Sequence, residues 1–294
     1  MRYKIQGEWL NLPIDEDFPF SDVAALLDFY HISAKQRLTL IASEAIMLNH
    51  QPCQLHTPLV QGMNLRIKAF KKEAVDYKPD ACFNLEVIYE DLFCLVVNKP
   101  SGYIIHGENK NDLGTLANVV ANYYIQHNIR TPVRYLHRLD KDTSGLVMFC
   151  KSSFFQPYYD YLLAKKEISR QYQALVDGIV PWTTYTLEAP IGKNRHKNNC
   201  YGVYPNGKYA KTTFKKLKTF DHQTLLSCTL HTGRTHQIRV HLAHLGYPIT
   251  NDNIYGQVTS HHGMQLKAVK LEWLHPITQE KMSCQIKDQL SPIE

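Results

Sequence analysis

The segment best equipped for chemistry is Arg134-Tyr135-Leu136-His137-Arg138-Leu139-Asp140-Lys141-Asp142-Thr143-Ser144-Gly145-Leu146. Two carboxylates stand among basic residues, and Thr-Ser-Gly leads straight into the apolar run 146–150. That order places an acid on a loop at the edge of a buried strand, where a rigid scaffold can hold it against a ligand. Such a carboxylate can act as nucleophile, base or electrostatic stabiliser of developing charge. The same residues also suit a plain turn, in which acids accept backbone hydrogen bonds and set the strand's entry. Spacing does not separate Asp140 from Asp142.

Further groups stand downstream. Tyr172 alternates with Arg170, Ala174 and Val176, which puts it on an apolar face, as a core aromatic would be. Arg239 falls on a predicted helix over 235–245. There it shares a face with His236 and Ala243 and lies off the apolar row Ile238, Leu242, Leu245. A guanidinium stays charged and pairs with a carboxylate in a planar, two-bond geometry. His231, His236, His241 and His244 lack the i, i+4 spacing of a helical metal pair, and no Cys or acid lies among them, so no metal site is expected.

The elements that must position these groups fall into two parts. Residues 23–29 and 34–43 show helical apolar spacing, broken at 31–33, with Ser33 suited to cap the second helix. Strands are expected over 47–51 and 64–70. The segment 73–80 is polar, aperiodic and contains a proline, and reads as a linker. This divides the chain into a module of residues 1–72, a linker over 73–83 and a domain over 84–294. In the domain, 85–89 and 94–98 read as a hairpin, 115–126 as a helix and 146–150 as a buried strand. Residues 155–166 follow as a helix, 168–176 and 225–231 as strands, and 235–245 as a helix that Gly246 ends. The fold class is α+β, with a mixed, largely antiparallel sheet preceded by a small α/β N-terminal module.

Composition narrows the partners. At 294 residues and 44% hydrophobic, the chain can bury a full core. No apolar stretch approaches the ~18–20 residues of a membrane span. The N-terminus lacks the basic-then-apolar order of a secretory signal, and seven scattered cysteines without a Cys-x-x-Cys pair suit a reduced, cytoplasmic protein. The formal net charge is +6. Residues 1–72 are nearly balanced, whereas 193–218 carry Lys193, Arg195, Lys197, Lys208, Lys211, Lys215, Lys216 and Lys218 and no acid. Such a patch suits an anionic partner held with salt dependence, or else a solvated hairpin.

The segment HRLDKDTSGL (137–146) resembles the signature of the RluA-type family of pseudouridine synthases. The resemblance continues through VIYEDLFCLVVNKPSGYIIH (87–106), SRQYQALVDG (169–178), the basic stretch 189–217 and HTGRTHQIRVHLAHLGYPITND (231–252). These matches keep the family's order from about residue 85 to 282. The resemblance implies an isomerase that converts uridine in ribosomal or transfer RNA to pseudouridine without metal or organic cofactor. It implies Asp140 as the essential acid, Tyr172 packed on the target base and Arg239 paired with Asp140. It also implies that Arg138 helps to displace the target nucleotide. His137, Arg170, Lys193, Arg195, Lys208, Lys211, Arg234 and His236 are the expected RNA contacts, and a monomer is the expected state.

Departures from the family pattern are few. Cys200-Tyr201 stands where Met-Ala is common, and Lys267 where a histidine often precedes an alanine. The amino-terminal part resembles a ribosomal-protein-type RNA-binding module whose basic helix face is reduced to Lys35 and Arg37, leaving a degenerate module and an RNA binder both open. Two rivals to the isomerase remain at this stage. One is an RNA-binding protein of the same fold without activity; the other is a glycoside hydrolase, which would need two acids across the scissile bond.

Overall fold

The computed structural model describes residues 1–287 and 290–292. The chain opens with β1 (Lys4–Gln6), β2 (Trp9–Pro13), α1 (Val23–Phe29), α2 (Ala34–Ala42), β3 (Ile46–Leu48), β4 (Gln51–Pro52) and β5 (Asn64–Ile67). These strands form one antiparallel sheet in the order β1-β2-β5-β3-β4. Ser33 caps α2 in a capping box with Gln36. The single strand expected over 47–51 is instead a hairpin. Asn49 and His50 take φ of 50° and 66°, and two such residues in succession make the tight reversal that joins β3 to β4.

Residues 68–85 carry neither helix nor strand, yet they are strapped down. Glu73 N–H donates to Arg130 O at 3.0 Å, and the Asp76 and Asp80 carboxylates accept the N–H groups of Val133 and Gly114 at 2.8 and 2.9 Å.

The larger part runs β6 (Glu86–Glu90), β7 (Cys94–Lys99), α3 (Leu116–Gln126), β8 (Arg134–Tyr135), β9 (Ser144–Cys150), α4 (Gln156–Lys165) and β10 (Ser169–Asp177). It continues with β11 (Thr184–Glu188), β12 (Ile191–Lys193), β13 (Tyr201–Val203), β14 (Lys211–Thr219), β15 (Gln223–Leu230), α5 (Gln237–His244), β16 (Leu266–Leu274) and β17 (Lys281–Gln285). The main sheet follows the order β11-β14-β15-β10-β16-β9-β7-β6, with β17 on β16 and β8 on β9. Among the described residues only β9 and β16 pair in parallel; β12 and β13 form a separate hairpin. No described helix is long and apolar enough to cross a membrane.

Both faces of the main sheet are covered, which explains the unbroken apolar runs of β7 and β9. Cys94, Val96, Leu146 and Met148 point to one face, with α4 and the amino-terminal sheet. Leu95, Val97, Val147, Phe149 and Tyr172 point to the other, with α3 and α5. Tyr30 joins the two parts. It is wholly buried, its ring meets Phe154 and Phe155 edge-on at 5.4 and 5.3 Å, and its hydroxyl donates to Pro276 O at 3.1 Å. Each such aromatic pair adds about 0.5–1.5 kcal/mol beyond area burial.

Candidate active site

Asp140 lies in the loop between β8 and β9, where the Thr143 N–H closes a turn on its carbonyl at 3.2 Å. Its side chain is 30% exposed, so a ligand can reach it. Beneath the loop, Lys99 is wholly buried and donates to Pro100 O, Tyr103 O and Lys141 O at 2.9, 2.8 and 2.9 Å. Burial pushes that ammonium down to about 8, against the pull of Asp142 and Asp140. The Ser101 hydroxyl donates to Asp142 O at 2.8 Å and Gly102 N–H to Lys141 O at 3.0 Å. The Asn98-Lys99-Pro100-Ser101-Gly102 turn is thus the cradle of the acid loop.

Opposite stands α5. Arg239, 2% exposed, brings Nη1 to 3.6 Å from Asp140 Oδ2, and His236 brings Nε2 to 3.8 Å from the same oxygen. Among the described residues Asp142 joins no ion pair, so geometry separates the two acids that spacing left equal. The closer partner of Arg239 is Asp252, which sequence reading missed. Nε and Nη2 donate to its two oxygens at 2.8 and 2.7 Å, and the Ile254 and Tyr255 N–H groups add bonds of 2.9 and 3.1 Å. Burial alone would raise the Asp252 carboxyl, but these donors hold it below its ordinary range. The ring of Tyr255 lies 5.2 Å from the guanidinium. In sequence, Asp252 reads as one more polar residue of a turn; nothing local marks it.

The start of α5 is pinned by Gln237, which is buried. Its Oε1 accepts the Thr232 hydroxyl and the Arg234 N–H at 2.7 and 3.0 Å, and its Nε2 donates to Lys211 O and Thr212 Oγ1 at 3.0 and 2.9 Å. The helix begins at Gln237 rather than 235, because His236 takes φ of 54°.

Tyr172, 4% exposed, sits on β10 with Ala174 and Val176 in the core facing α5. Burial raises its phenol, Arg170 opposes this, and Asp140 is near enough to add to it. Lys166 is pushed down by burial and then by Arg170 and Arg234, so these three cations lie near one another. Arg138, Lys193, Arg195 and Lys208 are exposed. Lys211, also an expected RNA contact, pairs its ammonium with Glu188 at 2.7 Å. The basic stretch is not one patch. Lys193, Arg195 and Lys208 belong to the hairpin region of β12 and β13, while Lys215, Lys216 and Lys218 lie along β14 toward the end away from Arg170.

His137 corrects the expected set of RNA contacts. It is 7% exposed, and its Nε2 accepts the Met148 N–H at 3.3 Å. Burial, then Arg170, pushes the imidazole down to about 3, so it stays neutral inside the fold. Its neighbour Leu136 bonds to Met148 O at 2.9 Å, which extends the β8–β9 pairing and turns His137 inward. Among the described residues no group of three or more His, Cys, Asp or Glu could hold a metal ion. A cavity of about 470 Å³ lined by Lys72, Val75, Tyr124 and Arg130 includes none of the candidate residues.

Residues 94–244 match a family model described as RNA pseudouridylate synthase. An uncharacterized RNA pseudouridine synthase of Bacillus subtilis, YhcT, is 35% identical over 243 residues, 82% of this chain and 80% of its own. Ribosomal large subunit pseudouridine synthase D of Neisseria meningitidis is 31% identical over 277 residues, 89% of this chain and 73% of its own. The solved structure of human RNA Pseudouridylate Synthase Domain Containing 1 matches with a TM-score of 0.61 at 25% identity, over 72% of this chain and 86% of that one.

Proposed function

Since this chain belongs to the RluA-type family of RNA pseudouridine synthases, and so isomerises uridine in RNA, we propose that Asp140 is the carboxylate that acts at the ribose. The reaction breaks the bond from N1 to the sugar carbon, turns the uracil and joins the sugar to C5. C5 gives up its proton and N1 ends protonated, so the product is an isomer. Positive charge develops at the sugar carbon as the bond opens, and a fixed carboxylate meets it as nucleophile or stabiliser. Arg239 sets a fixed positive charge beside that carboxylate. Tyr172 offers its ring to the base once the nucleotide leaves its stack, and Arg138 helps to displace it. Arg170, Arg234, Lys193, Arg195 and Lys208 hold phosphates.

The observation that carries this reading is the approach of Arg239 Nη1 to 3.6 Å from an Asp140 side chain that remains 30% exposed. The target is a uridine of ribosomal RNA, as the Neisseria relative's name suggests, and the place of action the cytoplasm, where that RNA is made and assembled.

Release of tritium from RNA transcribed with 5-tritiated uridine tests it, because isomerisation exchanges the C5 proton. Asp140→Asn and Asp140→Ala should each lower release by more than roughly a thousandfold, with the melting temperature and RNA affinity close to wild type. Activity surviving in both variants refutes the role of Asp140.

A further inference from the structure

Three side chains meet at the start of α5 in a way the reaction scheme leaves unused. His236 stands just before the helix in left-handed backbone, at φ 54°, a conformation that costs a residue with a β-carbon some stability and that recurs at functional sites. In this conformation its Nε2 faces Asp140 Oδ2 at 3.8 Å. Its other ring nitrogen, Nδ1, lies 2.8 Å from the Tyr255 hydroxyl. The same hydroxyl accepts the Tyr201 N–H at 2.9 Å.

The partners of a histidine decide which nitrogen bears the proton. The Tyr255 oxygen already accepts from Tyr201, and among the described residues the acceptor within reach of its own proton is His236 Nδ1. A proton on Nδ1 would leave the phenol proton without a partner and turn a lone pair of Nε2 toward the carboxylate. Donation from Tyr255 to Nδ1 instead gives the phenol proton an acceptor and leaves the proton on Nε2, facing Asp140.

We infer that Tyr255 is a positioning residue, whose hydroxyl fixes His236 as the Nε2–H form and so makes it a neutral donor toward Asp140. His236 and Arg239 then both face Oδ2, at 3.8 and 3.6 Å, and Oδ1 is left for the ribose. The inference rests on the proposed role of Asp140.

The direct test is nitrogen-detected NMR of the full chain labelled with ¹⁵N-histidine. Wild type should show His236 with Nε2 protonated and Nδ1 bare; a protonated Nδ1 overturns the inference. Kinetics supply the second test, on a 5-tritiated transcript that the wild type modifies. Tyr255→Phe keeps the ring beneath Arg239 and removes only the hydroxyl. It should lower kcat roughly tenfold and change KM for RNA less than about twofold. His236→Gln places an amide donor where Nε2 lies and needs no tautomer control, so it should retain more activity than His236→Ala. In the His236→Gln background Tyr255→Phe should have little further effect on kcat. Equal losses from Tyr255→Phe in both backgrounds would show a merely structural role. If Asp140→Asn is inactive and Tyr255→Phe is not impaired, this inference alone fails. If Asp140→Asn is active, the reading beneath it fails too.

Discussion

Arg239 gives the two-bond edge of its guanidinium to Asp252, at 2.8 and 2.7 Å, and reaches Asp140 with Nη1 alone, at 3.6 Å. The acid that anchors the arginine is therefore Asp252 and not Asp140. Asp252 is wholly buried and Arg239 nearly so, and the two hold each other ionised. This leaves a partly exposed Asp140 facing a cation whose position does not depend on it.

Removing the anchor should separate these roles. Asp252→Ala leaves a buried guanidinium without its partner, at a cost of about 3–5 kcal/mol by denaturant titration. Asp252→Asn keeps the shape and two acceptor sites at most, and should fall between. Both should also lower tritium release, while Asp140→Asn abolishes release without the stability loss. An Asp252→Ala protein as stable and active as wild type would mean that Arg239 is held by other groups.

Gly145 supplies the second constraint, at the point where the acid loop enters β9. Its φ is +111°, and a β-carbon there would stand 2.2 Å from Ala268 O, inside the parallel pairing of β9 with β16. Gly145→Ala meets backbone strain of about 1–3 kcal/mol and a clash with backbone that cannot rotate away. The variant should melt well below wild type and lose activity in the soluble fraction, because the loop bearing Asp140 hangs from this strand. A normal melting curve would show that the two strands can part locally.

Much of this was legible beforehand, and the exceptions share a cause. Alternation and caps located α1, α2, α3 and β10 within a residue or two, because those signals are local. The meeting of Asp140 with Arg239 was implied by the family resemblance alone, since 99 positions separate them in the chain. Asp252 was invisible, since only the folding of residues 246–255 against α5 gives it a partner. His137 stands among the expected RNA contacts, and its inward turn follows from pairing with Met148. The hairpin at Asn49-His50 was missed because it needs left-handed backbone at two residues other than glycine.

Tyr172 must be tested with its burial in mind. A base-stacking role predicts that Tyr172→Phe binds RNA nearly as well as wild type and that Tyr172→Ala binds worse, by about 1–3 kcal/mol. Yet the ring is also core, and Tyr172→Ala leaves a cavity costing about 3–5 kcal/mol of stability. Filter binding should therefore be run well below the melting temperature of the alanine variant. Equal affinities of the two variants under those conditions would remove the stacking role.

The division of the basic stretch makes a salt-dependence prediction. Replacing Lys193, Arg195 and Lys208 by Gln removes three exposed cations from the β12–β13 side. The slope of log affinity against log salt should fall by about 2, from a loss of about 0.7 per phosphate contact on single-stranded RNA. Replacing Lys215, Lys216 and Lys218, at the other end of β14, should leave the slope unchanged. A reversed result would move the RNA path to the far end of the sheet.

His137 offers a test in pH. In an unfolded chain a histidine titrates near about 6.5, whereas burial, then Arg170, pushes His137 in the fold down to about 3. Between those values the unfolded chain binds a proton that the folded protein refuses, so stability must fall as pH drops below about 6.5. His137→Gln keeps an oxygen where Nε2 accepts the Met148 N–H and has no proton to take up. The two proteins should be alike at pH 7.5, and by pH 5 the variant should lead by about 2 kcal/mol in urea unfolding. Burial also lowers His241 and His275, but both are present in each protein and cancel in the difference. Parallel stability curves would mean that His137 can charge within the fold, and would return it to the groups able to meet an RNA phosphate.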